Sequence, residues 1–280
     1  MIKFINKTPL RAVTFLFVMT FLVVVSITSF WEVVSSNVFP NTSIGLYNKS
    51  FWENVLVEAH GMVFDILIIG VIVVWLDTRR TKFNEQTNMT NELSDLSYLD
   101  LPEINHKKVG LIARLNQIGV KKFDLDELII TDVRIKGLII ESSTLNGLKA
   151  KKSIITGSIF DNTSLNHADI SQAEIKGSKF INCKMKKALF INSKAIGADF
   201  SGSNLERAKF INSDLKSAIL KNCDLRAVNF EGANLRNSNL KGVKNLEVSS
   251  LLKAKCLDFI VLDEAAKAEL KSLKDGIKGF

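Results

Sequence analysis

From Leu125 to Leu240 every fifth residue is apolar: of 24 such positions, 22 are Leu, Ile, Met or Phe, and the other two are Ala150 and Ala195. A spacing of five matches neither a helix of about 3.6 residues per turn nor a strand of about 2, so no single regular element can point all these side chains inward. The chain has to bend once per quintet. Two residues before each centre, from Ser153 to Ser238, all 18 positions are Ala, Ser, Thr or Cys except Val228, which marks a crowded site. Two residues after each centre, 14 of the 24 positions are Gly or Asn, the residues that most readily adopt the left-handed backbone of a tight turn.

Four such bends close a square lap that stacks on the next at about 4.8 Å through strand-like backbone hydrogen bonds. The phrase FINS at Phe190–Ser193 and again at Phe210–Ser213, twenty residues on, is that lap repeating. On this reading Phe160, Phe180 and Phe200 form one stack and Phe190, Phe210 and Phe230 another on the opposite wall. Every phenylalanine between 125 and 240 falls in one of the two.

The pattern of small residue, Asp or Asn, then Leu or Phe, plainest in GADFSGSNLERAKF and NCDLRAVNFEGANLRNSNL, resembles the pentapeptide-repeat family over about 120 residues. That resemblance implies a mainly β fold, a right-handed quadrilateral β-helix. Before about residue 150 the small slot holds Phe123, Leu128, Val133, Leu138 and Leu148, so the first laps are expected to be irregular.

Ahead of the repeats lie two apolar runs. Residues 12–31 carry no charge and 59–76 carry only Asp65, and each is long enough as a helix to cross a hydrocarbon layer of about 30 Å. A cleaved signal peptide fits the basic start of the first run, but SITSFWEV is a poor cleavage site. Lys3, Lys7 and Arg11 before the first run, and Arg79, Arg80 and Lys82 after the second, place both ends in the cytoplasm by the positive-inside rule. These flanks look like those of membrane-anchored bacterial pentapeptide-repeat proteins, which implies the inner membrane and a functionally uncharacterised group.

The expected order is a cytoplasmic tail 1–11, a first span 12–31, a periplasmic loop 32–58, a second span 59–76, a juxtamembrane linker 77–103 that is helical or loose, a cap helix 104–120, the solenoid 121–245, and a C-terminal cap and helix 246–280. Caps are needed because an open solenoid end exposes unpaired edges. Val109, Ile112 and Leu115 supply an apolar face for the first cap. In the last, Asp263 stands as the helix cap, Ala265, Ala266, Leu270 and Leu273 follow along the chain, and Gly276 is the stop.

No phosphate loop, nucleophile elbow or metal spacing is present, and the three histidines do not converge with Cys or acids; no enzyme activity and no cofactor are expected. Cys183, Cys223 and Cys256 suit reduced thiols, the first two as filler of the small slot. From Lys121 to Asn245 there are 21 Lys and Arg against 13 Asp and Glu, a net of 21 − 13 = +8. Stepping by twenty places Lys136, Lys176, Lys216 and Arg236 along one edge, interrupted by Thr156 and Ile196. That ladder suits an acidic protein or anionic lipid headgroups, against the plain alternative of solvated lysines. Nucleic acid is disfavoured as a partner, and the duplex mimicry attributed to some members of the resembled family demands a negative rod, whereas this one is positive. Glu58 and Asp65, sharing one helix face, offer a second candidate site inside a membrane core, which would require a homo-oligomer; the plain alternative is an Asp65 that is protonated or bonded to Thr20 or Ser26.

Overall fold

The computed structural model describes residues 9–37 and 48–279, which divide into two compact units, Met1–Glu85 and Gln86–Phe280. Lys3 and Lys7, most of the expected tail 1–11 and the middle of the expected loop 32–58 lie outside the described residues.

The first unit is helical. Helix α1 spans Pro9–Ser29, a short α2 follows at Trp31–Asn37, and α3 runs unbroken from Lys49 to Leu96. The two long helices touch where a side chain on Gly70 would run into Val13, and Trp31 Nε1 donates to Glu53 Oε1 at 3.2 Å. Helix α3 begins ten residues before the expected second span and continues twenty beyond it. The stretch 77–96 is therefore helix, not a loose linker, because residues such as Glu85, Gln86, Met89, Glu92 and Leu93 are strong helix formers with no Gly or Pro among them. The last turns of α3 belong to the second unit, where Leu93 is fully buried.

Helix α4, Pro102–Gln117, starts with Pro at its first turn and ends before Gly119, whose φ of 91° only glycine adopts easily. Its buried face is Asn105, Lys108, Leu111, Ile112 and Leu115; Val109, expected inside, is only partly covered.

Above α4 the chain winds into parallel laps. Five short strands, β1 Arg134–Lys136, β2 Ile139–Glu141, β3 Ile154–Thr156, β4 Ile159–Asp161 and β5 Lys179–Ile181, pair in parallel with partners twenty residues away. Single-residue bridges continue the same four ladders, such as Asp169 with Leu189 and Lys194 with Asp214. Every fifth residue from Leu125 to Leu240 is buried, and so is every small-slot residue from Ser153 to Ser238. The two phenylalanine stacks are present, with ring centroids 4.9 and 5.3 Å apart in one and 4.6 and 5.8 Å in the other. They also meet edge to face across the core, Phe200 lying 5.5 Å from Phe190 and 5.7 Å from Phe210.

All 24 corner positions take positive φ, between 47° and 73°, including Lys152, Lys187, Arg207 and Ala227, which have neither glycine's freedom nor asparagine's tolerance. The laps impose this conformation, since nearly all the corner amides bond the lap above, as Lys187 N–H does with Glu206 O at 2.8 Å. At some corners glycine has a second reason: a side chain on Gly202 or Gly232 would collide with Asn182 or Asn212 one lap below.

The first laps are regular, contrary to expectation. Phe123, Leu128, Val133 and Leu138 are buried in one cluster with Leu111, Ile112 and Leu115, because the lap 121–140 has a helix beneath it and large side chains fill the difference. The far end departs instead. Asn234 pairs with Cys256 and Asn239 with Val261, a step of 22 in place of 20, so pairing runs past the expected boundary at 245. The two extra residues lie around the short helix α5, Val248–Leu251.

Helix α6, Glu264–Leu273, then closes the chain, with Leu270 its one buried residue; Leu273 and Ala265 are exposed. Asp263 sits at the N-cap position but does not cap: its Oδ2 accepts the Gly242 N–H at 2.9 Å instead.

Candidate functional site

The basic edge is built by register. Lys136 pairs with Thr156, and the amides of Gly177, Gly197 and Ser217 donate to the carbonyls of Ile196, Lys216 and Arg236, so the column 136–236 climbs one corner. The column places Lys136, Lys176, Lys216 and Arg236 together along that corner, all exposed. Alternate laps separate the first three by about 9.6 Å, near the Debye length of about 8 Å at physiological salt, so their mutual repulsion is modest. Other lysines are neutralised by acids on neighbouring laps: Lys121 with Glu141 at 3.0 Å, Lys149 with Glu127 at 3.2 Å, Lys151 with Asp169 and Lys186 with Glu206, both at 2.9 Å. Lys136, Lys176 and Lys216 enter no ion pair among the described residues. Arg236 differs, because its guanidinium lies 5.9 Å from the centre of the Phe259 ring in the C-terminal cap.

A second basic corner was missed by following a single column. His167, Lys187 and Arg207 stack at positive-φ corners, flanked by exposed Lys184, Lys209 and Arg226. The same twenty-residue step applied to Lys187 reaches Arg207 and would have found it. Here Glu206 is held below the usual carboxylate range by its bond from Lys186 and by the neighbouring arginines.

Glu58 and Asp65 are both exposed on α3, and among the described residues neither has a hydrogen-bond partner. Thr20 does not reach Asp65; its hydroxyl donates to Leu16 O of its own helix at 2.7 Å. His60 likewise bonds Leu56 O one turn back, and His106 bonds Pro102 O.

Cys183 and Cys223 fill the small slot, their thiols against the Phe160 and Phe200 carbonyls at 3.3 and 3.0 Å, and burial pushes both up to about 12. Such thiols are inert. Cys256 is half-buried.

The least expected group is Lys108. It is fully buried, and its Nζ donates to Leu99 O at 2.7 Å and Ser97 O at 3.3 Å, carbonyls just past the end of α3. Loss of hydration pushes its pKa down to about 8, the nearby Asp100 opposing. Asp100 is itself lowered by bonds from Thr131 and Asn105. Together with the Ile129 N–H on Ser97 O, these groups tie the end of α3 to α4 and the first lap.

Three overlapping stretches, residues 155–186, 183–222 and 203–242, match the family described as pentapeptide repeats (8 copies). The repeats of this chain, over residues 155–242, belong to the pentapeptide-repeat family. Pentapeptide-repeat proteins fold as right-handed β-helices, and the parallel ladders described above are those of such a helix.

Similar solved structures include trypsin-treated QnrB1, a plasmid-mediated fluoroquinolone resistance protein, at 17% identity over 54% of this chain and 96% of that one, with a TM-score of 0.31. HetL, a pentapeptide repeat protein involved in heterocyst differentiation regulation in the cyanobacterium Nostoc sp. strain PCC 7120, matches at 19% identity over 54% and 93%, TM-score 0.21. A pentapeptide repeat protein of the Arabidopsis thaliana thylakoid lumen matches at 20% identity over 44% and 78%, TM-score 0.20. No curated protein matches the chain.

Proposed function

We propose that this pentapeptide-repeat protein is a membrane-anchored, non-enzymatic scaffold of the bacterial inner membrane, with two spans and its quadrilateral rod in the cytoplasm. The contrast between the two units carries the reading. On α1 and α3, Phe15, Leu16, Leu22, Ile68, Ile69 and Trp75 are exposed, whereas between Lys121 and Asn245 no large apolar side chain is. Bare apolar surface of that kind calls for lipid or a partner, and two helices of this length and composition supply it in the form a bilayer accepts. The exposed column Lys136, Lys176, Lys216 and Arg236 would then meet anionic lipid headgroups or an acidic protein, each cation adding about 1 kcal/mol at a charged surface.

In cells the full chain should stay in the membrane pellet after an alkaline carbonate wash and leave it only in detergent. Recovery in the carbonate supernatant would overturn the anchor. Binding of the detergent-purified chain to phosphatidylserine vesicles should fall on reversing all four cations to Glu, and unchanged binding would remove the ladder from the reading.

The rival is an oligomeric membrane core using Glu58 and Asp65, favoured by the exposed position of both acids on one helix, without a hydrogen-bond partner among the described residues. Asp65→Asn separates the two. A deletion phenotype rescued by that variant but not by the charge-reversed one supports the scaffold, and the opposite result supports the membrane core.

A further inference from the structure

At the C-terminal end, three of the four ladders gain a last rung. Leu225 donates to Lys244 O and Leu235 to Cys256 O, both at 2.9 Å, and Leu240 to Val261 O at 2.8 Å. The fourth ladder stops at Asn229. In a complete rung one residue serves both neighbours: Asn229 N–H donates to Ala208 O at 3.0 Å, and Asn229 C=O accepts from Phe210 N–H at 2.8 Å. The residue that would do the same one lap higher is missing. Among the described residues, the Val228 C=O and the Phe230 N–H have no hydrogen-bond partner.

The step of 22 explains the gap. The helical turn α5 fills the core with Val248 and Leu251, both buried, but carries its backbone away from the edge of 228–230. What remains is a cleft of about 370 Å³ bounded by Ala227, Val228, Asn229 and Phe230 on one side and Glu247, Ser249, Ser250 and Lys253 on the other. Strand spacings of about 3.3, 4.8 and 10 Å give roughly 160 Å³ per extended residue, so the cleft holds about two residues. Val228, the one branched apolar residue in the small-slot series, sits where no rung presses on it from above.

We propose that this edge is a β-augmentation site for an extended segment of a partner polypeptide. One residue of that segment donates to Val228 C=O and accepts from Phe230 N–H, completing the fourth ladder in parallel. Its outward side chain faces the hydroxyls of Ser249 and Ser250, neither bonded among the described residues, and the exposed Lys253. Glu247 on the same wall balances the charge of Lys253, so a short neutral polar side chain fits there. The site depends neither on the membrane anchor nor on the basic column, so its failure leaves those readings untouched.

The test is amide hydrogen exchange on the detergent-solubilised full chain, with a blocked peptide of sequence TVNVT as probe. Without peptide the Phe230 amide should exchange faster than those of Phe190 and Phe210. With millimolar peptide its exchange should slow by about tenfold or more, and this protection should vanish when the three central peptide nitrogens are methylated. In Ser250→Phe, whose ring occupies the cleft, peptide should no longer protect Phe230, while unchanged exchange at Phe190 and Phe210 shows that the rod is folded. No protection by the peptide, or equal protection by its methylated form, overturns the proposal. Protection that rises with protein concentration in the absence of peptide assigns the edge to a second copy of this chain and also overturns it.

Discussion

The aromatic stacks make a graded prediction, because the six rings do not have equal surroundings. Phe200 lies against Phe180, Phe190 and Phe210, at 5.3, 5.5 and 5.7 Å. Phe190 lies against Phe200 and Phe210, and Phe160 against Phe180 only, at 4.9 Å. Each aromatic pair contributes about 0.5 to 1.5 kcal/mol beyond the area it buries. Replacement by Leu removes those pairs while keeping a residue the slot accepts, since Leu220 occupies the next position above Phe200 and is fully buried. The transfer and cavity costs of Phe→Leu are common to the three sites and cancel in comparison. Phe200→Leu should therefore cost about 1 to 3 kcal/mol more than Phe160→Leu, with Phe190→Leu between them. The assay is urea unfolding of the full chain in detergent, followed by far-ultraviolet circular dichroism. Equal losses at the three sites, or a larger loss at Phe160, would refute the idea that ring pairing across the core stiffens these walls.

Four further outcomes follow from the corners, the thiols and the cap. Lys152→Gly should stabilise the rod by about 0.5 to 1 kcal/mol, relief of a left-handed backbone at φ 58° exceeding the entropy glycine loses on folding. Gly232→Ala should destabilise it by about 1 to 3 kcal/mol, through φ 66° and the displaced Asn212 side chain; thermal midpoints check both. An alkylating reagent at pH 8 should modify Cys256 alone in the folded chain and all three cysteines in denaturant, and labelling of Cys183 or Cys223 without denaturant would contradict their burial. Lys108 titrates near 8 in the folded chain against 10.5 unperturbed, so between those values the unfolded chain holds the extra proton and stability rises with pH. The melting temperature of the wild type should climb relative to Lys108→Met across that window, and parallel curves would show that Lys108 keeps its ordinary pKa.

The parts of this fold that were legible in the sequence are those where one environment recurs. Phe190, Phe210 and Phe230 meet the same neighbours lap after lap, so a single repeat length places all three. The corners carry the same lesson further. Ten of 24 have a residue other than Gly or Asn, yet all take positive φ, because a stacked amide on either side outweighs a local preference of about 1 kcal/mol. At the ends the environment occurs once and periodicity is silent. Lys108 reads as an ordinary surface lysine of an amphipathic helix, and its burial depends on carbonyls of the chain that leaves α3, nine to eleven residues away. The unfinished ladder at Phe230 depends on two extra residues whose only sequence trace is a valine in a slot otherwise held by Ala, Ser, Thr and Cys.

That division bears on where recognition can reside. A regular wall satisfies its own backbone at each interior rung, so it can offer a partner only the side chains that alternate outward from it, as the basic columns do. An interrupted wall offers main-chain groups as well, and main-chain groups recognise any extended polypeptide regardless of its side chains. The charge of the rod can drift with substitution at the exposed positions while the laps remain intact. The gap above Phe230 cannot, because it closes only if two residues are removed between Lys244 and Cys256 and the turn α5 straightens into a rung. Deleting that pair of residues should complete the fourth ladder, protect the Phe230 amide without any partner and raise the stability of the last lap, whereas loss of the Leu225 and Leu235 rungs in the shortened chain would show that α5 is needed to hold the cap.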